Sequence, residues 1–264
     1  MKHYIAEKWR DILVFNDLDT HEKIWALEAE WFEEPNHRRG GWSGVSRIEL
    51  KLPLGGVVAV FLKRQEDHVT RTFSHPFKGV ATFAREYDVI TEFQQRKIPS
   101  LDLVFFEQWM EQGHQRAVIL TEELAGYMPL SSAEYHQGSA VFSNKASKKA
   151  LFTQLTGLMQ AMHQHNFQHN CFYPKHVFVK QLSETEFDLR VIDLEKVKKL
   201  LCRKAARFRD LSTLLRHSTG WTEEDKLEFF RVYCGEEQLS RRSKRLWAKL
   251  NAAIEKKKAS AQRP

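Results

Sequence analysis

A polar loop followed by two apolar strands constrains the fold of this chain more than any other feature. Residues 163–195 read HQHNFQHNCFYPKHVFVKQLSETEFDLRVIDLE. The pattern predicts a helix end, a loop rich in histidine and asparagine, a strand, a turn, and a second strand that ends on Asp193. A carboxylate that leaves a buried strand beside such a loop is typical of a phosphoryl-transfer site, because its hard oxygens can hold a divalent cation.

A β-hairpin that carries a lysine is predicted earlier in the chain. Polar and apolar residues alternate over residues 45–52, which is the period of a half-buried strand. The glycines of PLGG at 53–56 allow the positive φ angles of a tight turn. The apolar run Val57–Lys63 predicts the return strand, and we expect it to end on Lys63 at the edge of a lobe.

A glycine-rich segment precedes this hairpin. Its residues are Gly40, Gly41, Ser43 and Gly44, and glycines at such a turn let backbone N–H groups approach phosphates closely. A flexible hairpin tip is the alternative interpretation of the glycines, and a solvent-facing side chain is the alternative for Lys63. Together the glycine-rich segment and Lys63 favour a phosphate site, because the adjacent hairpin would place the lysine side chain beneath the glycine-rich turn.

The rest of the first half predicts an α+β lobe. Apolar residues at helical spacing predict a helix over Ala81–Arg96, in which Glu86 is a candidate partner for Lys63 or, alternatively, a solvated charge. The sequence TEELAG at 121–126 leaves the sheet, and Gly126 suits a hinge. The other predicted elements are a strand near Ile12–Phe15, a short helix containing Ile24–Phe32, and strands at Leu103–Trp109 and Arg116–Leu120. Together they predict an antiparallel five-stranded sheet with one helix, followed from residue 131 by a mainly helical region.

Composition and charge narrow the class of protein. No apolar run is long enough to cross a bilayer and the first residues lack a secretory signal, so we expect a cytoplasmic protein. Three cysteines without metal-ligand spacing indicate neither a disulfide framework nor a zinc site. The net charge of +7 is concentrated after Ser240, which argues against nucleic acid as the partner of the whole chain.

The basic C-terminal segment has two interpretations. Leu246, Leu250 and Ile254 repeat every fourth residue among arginines and lysines, which suits an amphipathic helix in peripheral contact with an anionic membrane. A helix packed on the second half of the chain is the other interpretation, and it is the one that we favour.

These features occur in an order that resembles the protein-kinase superfamily. The motifs TEELAG, CFYPKHVFV, VIDLEKV and RDLSTLLRH, found in that order, resemble the lipopolysaccharide-core (Kdo/heptose) sugar kinases, and among them the small weak-acid-inducible InaA proteins of bacteria. The resemblance covers roughly residues 36–220. It implies one bilobal kinase-like domain with an N-lobe at residues 1–122 and a C-lobe at 123–264.

The resemblance also implies roles for individual residues in binding ATP and Mg²⁺. The glycine-rich segment would cover the nucleotide phosphates, Lys63 would hold the α- and β-phosphates, and Glu86 would pair with Lys63. Backbone groups of Glu122, Glu123 and Leu124 would face adenine. Asp193 and His176 would bind magnesium, and Asp210 would tie the polar loop to the helix that follows.

The loop departs from the family at the residue that accepts the proton of the acceptor hydroxyl. The family has His-Arg-Asp there, and this chain has His169, Asn170 and Cys171. The candidate catalytic residues are therefore His169, Cys171 and Lys175. One hypothesis is a partly ionised Cys171 near Lys175, and another is His169 itself as the base.

Two functions agree with this sequence. The expected one is an ATP- and Mg²⁺-dependent phosphotransferase that acts on a saccharide or another small acceptor hydroxyl, a lipid-linked acceptor included. The alternative is a catalytically impaired pseudokinase, which binds nucleotide and serves as a regulatory or stress-response module. The departure at Cys171 motivates this alternative.

Overall fold

The computed structural model describes residues 2–38, 40–72, 75–201 and 203–261. The chain divides into two compact units. The first comprises Met1–Arg96 and Leu101–Ala125, and the second comprises Lys97–Ser100 and Gly126–Pro264. The lobe boundary predicted after residue 122 lies just before this division.

The first unit is built on an antiparallel six-stranded sheet with the order β1-β7-β8-β4-β3-β2. Its elements are β1 (His3–Ile5), a 3₁₀ helix (Glu7–Trp9), α1 (Arg10–Phe15), α2 (His21–Ala26), β2 (Trp31–Arg38), β3 (Gly41–Lys51), β4 (Val57–Glu66), β5 (Val69–Thr72), β6 (His75–Ala81), α3 (Thr82–Gln95), β7 (Leu103–Glu111) and β8 (His114–Glu122). Strands β5 and β6 form a separate hairpin. The prediction of five strands was therefore one strand short.

The first forty residues account for most of the difference from the prediction. The predicted strand at Ile12–Phe15 is wrong, since these residues end α1. Trp9 and Leu13 are buried one helical turn apart while Val14 and Phe15 are exposed, and this is the pattern of a helix face. The predicted helix at Ile24–Phe32 ends at Ala26, and β2 begins at Trp31. Strand β2 lies at the edge of the sheet. A proline is tolerated there, although it has no backbone N–H group to donate to a neighbouring strand.

The central hairpin follows the predicted pattern. Along β3, Ser46, Ile48 and Leu50 are buried while the residues between them are exposed, which confirms the alternation. Strand β4 continues to Glu66, so the prediction that it ends on Lys63 was wrong. The core of the unit joins these strands to α1 and α2 through Trp9, Leu13, Ile24, Leu50, Val60, Leu62, Phe105 and Leu120.

The second unit is mainly helical, with one small sheet of order β12-β11-β9. Its elements are β9 (Met128–Pro129), a 3₁₀ helix (Ala133–Tyr135), α4 (Ala140–Ser143), α5 (Lys145–Gln164), β10 (Phe167–Gln168), a 3₁₀ helix (Pro174–His176), β11 (Val177–Ser183), β12 (Glu186–Val191), a 3₁₀ helix (Leu194–Lys196), β13 (Lys198–Lys199), α6 (Arg203–His217), α7 (Glu223–Cys234) and α8 (Arg241–Ala261). The polar loop of residues 169–176 lies between β10 and β11.

Packing in this unit agrees with the sequence pattern. The face of α5 that carries Leu151, Leu155 and Met159 is buried, and Phe152 contacts Trp221 and Phe229 in an aromatic cluster. Helix α7 begins with a capping box, in which the Thr222 hydroxyl accepts the Asp225 N–H and the Asp225 carboxylate accepts the Thr222 N–H.

Helix α8 packs on the other helices of the second unit, as the favoured interpretation predicts. Leu250 and Ile254 are buried, and the ring of Trp247 lies 5.0 Å from that of Phe230. Within the described part of the chain, no helix is both long and apolar enough to span a bilayer.

Candidate active site

A buried ion pair joins β4 to α3 in the first unit. The Lys63 Nζ lies 2.7 Å from the Glu86 Oε1, and the side chains are 18% and 2% exposed. Lys63 is in register with Val45 of β3 and Ile119 of β8, so both neighbouring strands fix its backbone. A carboxylate so deeply buried requires a cation beside it, and it fixes the direction of the lysine in return. The predicted pairing is thus present in the structure.

The glycine-rich segment has a structural requirement of its own. Gly41, Ser43 and Gly44 lie in β3, and Gly40 lies in the turn before it with φ 85°. A β-carbon on Gly41 would stand 2.0 Å from the carbonyl oxygen of Glu66, and one on Gly44 would stand 2.5 Å from the Trp31 ring. Close packing therefore explains these two glycines without any ligand, and their contact with phosphate stays a prediction.

Where the chain leaves the main sheet after β8, one backbone N–H group is available as a hydrogen-bond donor to a ligand. The Glu122 N–H donates to the Asp102 carbonyl at 2.9 Å, and the Glu123 N–H donates to the Ala59 carbonyl at 3.0 Å. Among the described residues, the Leu124 N–H has no hydrogen-bond acceptor. Of the three residues predicted to face adenine, Leu124 alone offers an N–H group that bonds to no described residue.

In the second unit, a carboxylate is held at the exit of β12. Asp193 adopts the left-handed conformation with φ 59° and ψ 56°, and a 3₁₀ helix starts directly after it. This conformation costs a non-glycine residue about 1–2 kcal/mol and is concentrated at functional sites. The backbone beside it is fixed, because the Ile192 N–H donates to the His176 carbonyl at 3.0 Å. The Asp193 Oδ2 lies 3.3 Å from the His176 Nδ1, and its side chain is 28% exposed.

His176 has the protonation state that a metal ligand requires. Its Nδ1–H donates to the Cys171 carbonyl at 2.9 Å, which leaves the lone pair on Nε2. Burial lowers the pKa of His176, so the ring is neutral at pH 7. This hydrogen bond also orients the ring, as partners of ligand histidines commonly do.

The donor set at Asp193 and His176 fits magnesium held partly by substrate. Within the described residues, no group of three or more His, Cys, Asp or Glu side chains could hold a metal ion. Magnesium in phosphoryl transfer is usually held by one or two carboxylates of the protein, and phosphate oxygens and water complete the octahedron. These two residues could therefore hold the cation together with a nucleotide, and a metal cage made of protein alone is not present among the described residues.

Asp210 of α6 fixes the shape of the polar loop. Its buried carboxylate accepts the His169 N–H at 2.9 Å and the Asn170 N–H at 3.1 Å. The His163 Nε2 lies 3.2 Å from the same carboxylate, and the His163 Nδ1 lies 2.9 Å from the Tyr233 hydroxyl. The predicted tie between the loop and α6 is confirmed. The sequence reasoning missed His163 and Tyr233, for which the only signal is a polar residue on an otherwise apolar helix face.

His169 is a positioning residue in this arrangement. Its Nε2–H donates to the Ile192 carbonyl at 2.9 Å, and its Nδ1 accepts the Cys171 N–H at 3.3 Å. The side chain is fully buried, and burial lowers its pKa to about 4 from the ordinary value near 6.5. With both nitrogens occupied, the ring joins the loop to the chain before Asp193, and the structure gives no support to its use as a base.

The Cys171 thiol stays protonated at neutral pH. Burial is the main reason that its pKa is raised, and Asp193 and Glu195 add to this while Lys196 and Arg209 oppose it. The hypothesis of a partly ionised Cys171 is therefore wrong. Lys175 is exposed on the short helix that also carries His176.

Comparisons with known proteins identify the family of the chain. The model of the lipopolysaccharide kinase (Kdo/WaaP) family matches residues 22–233. The chain belongs to the lipopolysaccharide kinase (Kdo/WaaP) family. Protein InaA of Escherichia coli (strain K12) is 31% identical over 199 residues, which covers 75% of this chain and 88% of InaA.

A solved structure shares the fold. In the structure described as WaaP in complex with acyl carrier protein, the matching chain has a TM-score of 0.69 and 22% identity, with 100% of both chains covered. The predicted kinase-like α+β fold is therefore confirmed, with six strands in the main sheet rather than five. The expected kinase class is confirmed at the level of the family.

Proposed function

We propose that this member of the Kdo/WaaP family is an ATP- and Mg²⁺-dependent phosphotransferase that phosphorylates a hydroxyl of a saccharide. The buried Lys63–Glu86 pair is the observation that carries the proposal. A cation fixed by a buried carboxylate is suited to holding the phosphates of a nucleotide, since a triphosphate carries about four negative charges.

The residues of the first unit act on the nucleotide. Lys63 binds the α- and β-phosphates, and Glu86 keeps the ammonium in place. Gly40, Gly41, Ser43 and Gly44 bring backbone N–H groups near the phosphates. The Leu124 N–H donates to adenine, because its neighbours Glu122 and Glu123 have N–H groups that are already bonded.

The residues of the second unit act at the transferred phosphate. The Asp193 carboxylate and the His176 Nε2 would hold magnesium, which would supply positive charge beside the phosphate oxygens. His169 and Asp210 keep the loop in shape. The acceptor hydroxyl approaches Cys171, whose thiol does not take up a proton at neutral pH.

Transfer without an aspartate at position 171 is slow but chemically feasible. The phosphoryl transition state is loose, so little proton transfer from the nucleophile is required before the phosphate moves. Absence of a general base costs about 10²–10⁴-fold in rate. We therefore propose a weak kinase that works through positioning and electrostatic stabilisation.

Turnover with a panel of saccharides, lipid-linked ones included, tests this proposal. The steady-state rate of ATP consumption by the unaltered protein is expected to exceed that of Lys63→Ala and Asp193→Ala at least tenfold, because each variant removes charge stabilisation of about 1.4 kcal/mol or more. Equal rates in all three proteins across the panel would show that no phosphotransfer occurs.

The protonated Cys171 favours a second candidate, the pseudokinase. Such a protein binds ATP and magnesium, and the melting temperature rises because only the folded state binds the ligand. A rise without turnover would favour the pseudokinase over the enzyme. No rise in melting temperature with ATP and magnesium would argue against both candidates.

We also propose a cytoplasmic location with peripheral contact at an anionic membrane. Helix α8 exposes Arg241, Arg242, Lys244, Arg245 and Lys249, and exposed basic side chains on a helix are attracted to anionic lipid. Flotation with anionic vesicles should fall on reversal of Arg242 and Arg245 to Glu, and unchanged flotation would remove the proposal.

A further inference from the structure

Four cationic side chains meet beside the polar loop of the second unit. Arg209 and Arg216 are seven residues apart on α6 and therefore share a face of the helix. Helix α8 packs on α6 and carries Lys257. Lys175 comes from the short helix that follows Cys171.

These four side chains lack acidic partners among the residues that the structure describes. None of them makes an ion pair with a residue that the structure describes, and the Arg216 Nε is buried without a hydrogen-bond partner there. Two other lysines of the same unit are paired, Lys148 with Asp225 and Lys258 with Glu255. Like charges kept together without counter-charge destabilise a folded protein. Their concentration at one place thus indicates a ligand of opposite charge.

Ring contacts and electrostatic effects place the cluster beside the loop. Tyr173 contacts His217 with ring centroids 4.6 Å apart and His176 at 5.4 Å. Burial lowers the pKa of His217, and Arg216, Lys257 and Lys175 lower it further. The pKa of Lys257 is likewise lowered, first by burial and then by Arg209 and Arg216.

We propose that Arg209, Arg216 and Lys257, together with Lys175, bind an anionic group of the acceptor saccharide, a phosphate or a carboxylate. This inference rests on the proposed function, and it narrows the acceptor to one that already carries negative charge. A guanidinium can bind either group through two parallel hydrogen bonds, and a second and third cation offset the remaining charge. The anion would take the position of the missing acidic partners.

The cluster fits a small anion better than a membrane surface. Arg216 and Lys257 are partly buried, whereas Lys256 and the basic residues at the start of α8 are exposed. A flat lipid surface contacts exposed side chains along the outer face of a helix. A group of four cations beside a loop, of which two are partly buried and two are exposed, is accessible to one anionic substituent of a soluble molecule.

Calorimetric titration of the full chain tests the proposal. Glucose 6-phosphate and glucuronate serve as phosphate and carboxylate probes, and glucose is the uncharged control. We expect binding of at least one anionic probe and about tenfold weaker binding by Lys257→Ala and by Arg209→Ala, since each variant removes one charge-assisted contact with the anion. The matched control Lys256→Ala, which changes the exposed neighbour, should bind as tightly as the unaltered protein. The probe that binds more tightly identifies the anionic group.

Thermal stability separates binding from structure. Lys257→Ala should melt at the same or a higher temperature than the unaltered protein, because the repulsion from Arg209 and Arg216 is removed. Equal probe affinity in Lys257→Ala, Arg209→Ala and the unaltered protein would overturn the inference. A second result would also overturn the inference. If these variants no longer bind phosphatidylglycerol vesicles but keep their affinity for both sugar anions, the cluster binds lipid.

The nucleotide provides an independent readout. The rise in melting temperature with ATP and magnesium should be the same in Lys257→Ala as in the unaltered protein, because Lys63 and Asp193 are intact. Anion binding that depends on the cluster, without turnover or any ATP effect, would support the cluster and reject the proposed kinase function. Turnover on a neutral saccharide that Lys257→Ala leaves unchanged would support the kinase and reject the cluster as its acceptor site.

Discussion

The ion pair of the first unit and the polar loop of the second retain different parts of a phosphoryl-transfer site. Lys63 and Glu86 have both the position and the charge that phosphate binding requires. The loop has its shape, through Asp210 and His169, but carries a protonated thiol where the family has an acid. Because backbone hydrogen bonds to Asp210 set the shape, the side chain at 171 can change without loss of the fold. In the loop, the groups that fix the backbone are thus different from the side chain that would take part in the reaction. In the ion pair, the same two side chains fix the structure and would bind the phosphates.

Removal of the Asp210 carboxylate tests the scaffold with the largest expected effect. Asp210→Ala leaves the buried N–H group of His169 and the half-buried N–H group of Asn170 without acceptors, so we expect a loss of about 4 kcal/mol in the free energy of unfolding. Chemical denaturation measures this loss. Asp88→Ala is the matched control, because its side chain is 50% exposed and pairs with Lys2 at the surface. A similar small effect in both variants would show that the loop does not depend on Asp210.

The pH dependence of stability tests the burial of His169. Its pKa is about 4 in the folded protein and near 6.5 when unfolded, so the unfolded chain binds more protons between these values. Its contribution is complete above pH 6.5 and is lost as the pH falls through 4. The loss between pH 7 and pH 4 is about 3 kcal/mol, at about 1.4 kcal/mol per pKa unit.

A variant isolates this contribution from the other titrating groups. His169→Gln does not titrate, and the unfolding free energy of the unaltered protein minus that of His169→Gln should decrease on acidification. His176 and His217 also have lowered pKa values, but they are present in both proteins and cancel. A difference that is constant from pH 7 to pH 4 would mean that His169 is not buried in its neutral form.

Restoration of the acid at position 171 tests the chemistry of the loop directly. Cys171→Asp supplies the general base without change to Asp210, and turnover should rise by about 10²-fold, which corresponds to about 2.7 kcal/mol in the barrier. Cys171→Asn is the control of matched shape that cannot act as a base. Equal rates for the Asp and Asn variants, both folded, would show that turnover is not limited by proton transfer.

Charge removal in the first unit has a smaller expected effect. Glu86→Gln keeps the shape of the side chain but leaves the Lys63 ammonium, which is only 18% exposed, without its carboxylate. We expect a loss of about 2 kcal/mol in stability and a weaker response of the melting temperature to ATP. In Glu86→Gln combined with Lys63→Met, the stability loss should be smaller than the sum of the single losses, because the two residues contact each other. Additive losses would indicate that the ion pair is not formed in solution.

Local patterns predict part of this molecule and distant contacts supply the rest. The alternation of β3, the capping of α7 and the buried face of α5 depend on near neighbours, so the sequence indicates them. The β5–β6 hairpin has no such pattern in its sequence. His163, Asp210 and Tyr233 meet across α5, α6 and α7, and the cation cluster joins residues from 175 to 257. Contacts of this kind depend on how helices pack, which spacing in the sequence does not specify.

The glycine-rich segment provides the smallest expected effect and the clearest distinction between packing and phosphate binding. Gly44→Ala places a β-carbon 2.5 Å from the Trp31 ring, which must move, and we expect a loss of about 1 kcal/mol in stability without any nucleotide present. Gly157→Ala in α5 is the opposite control, since its β-carbon has no heavy atom within 4 Å and alanine favours a helix by about 1 kcal/mol. Thermal melts of both variants with and without ATP separate the two roles. If Gly44→Ala melts like the unaltered protein but loses its response to ATP, the glycine serves the phosphates and not the contact with Trp31.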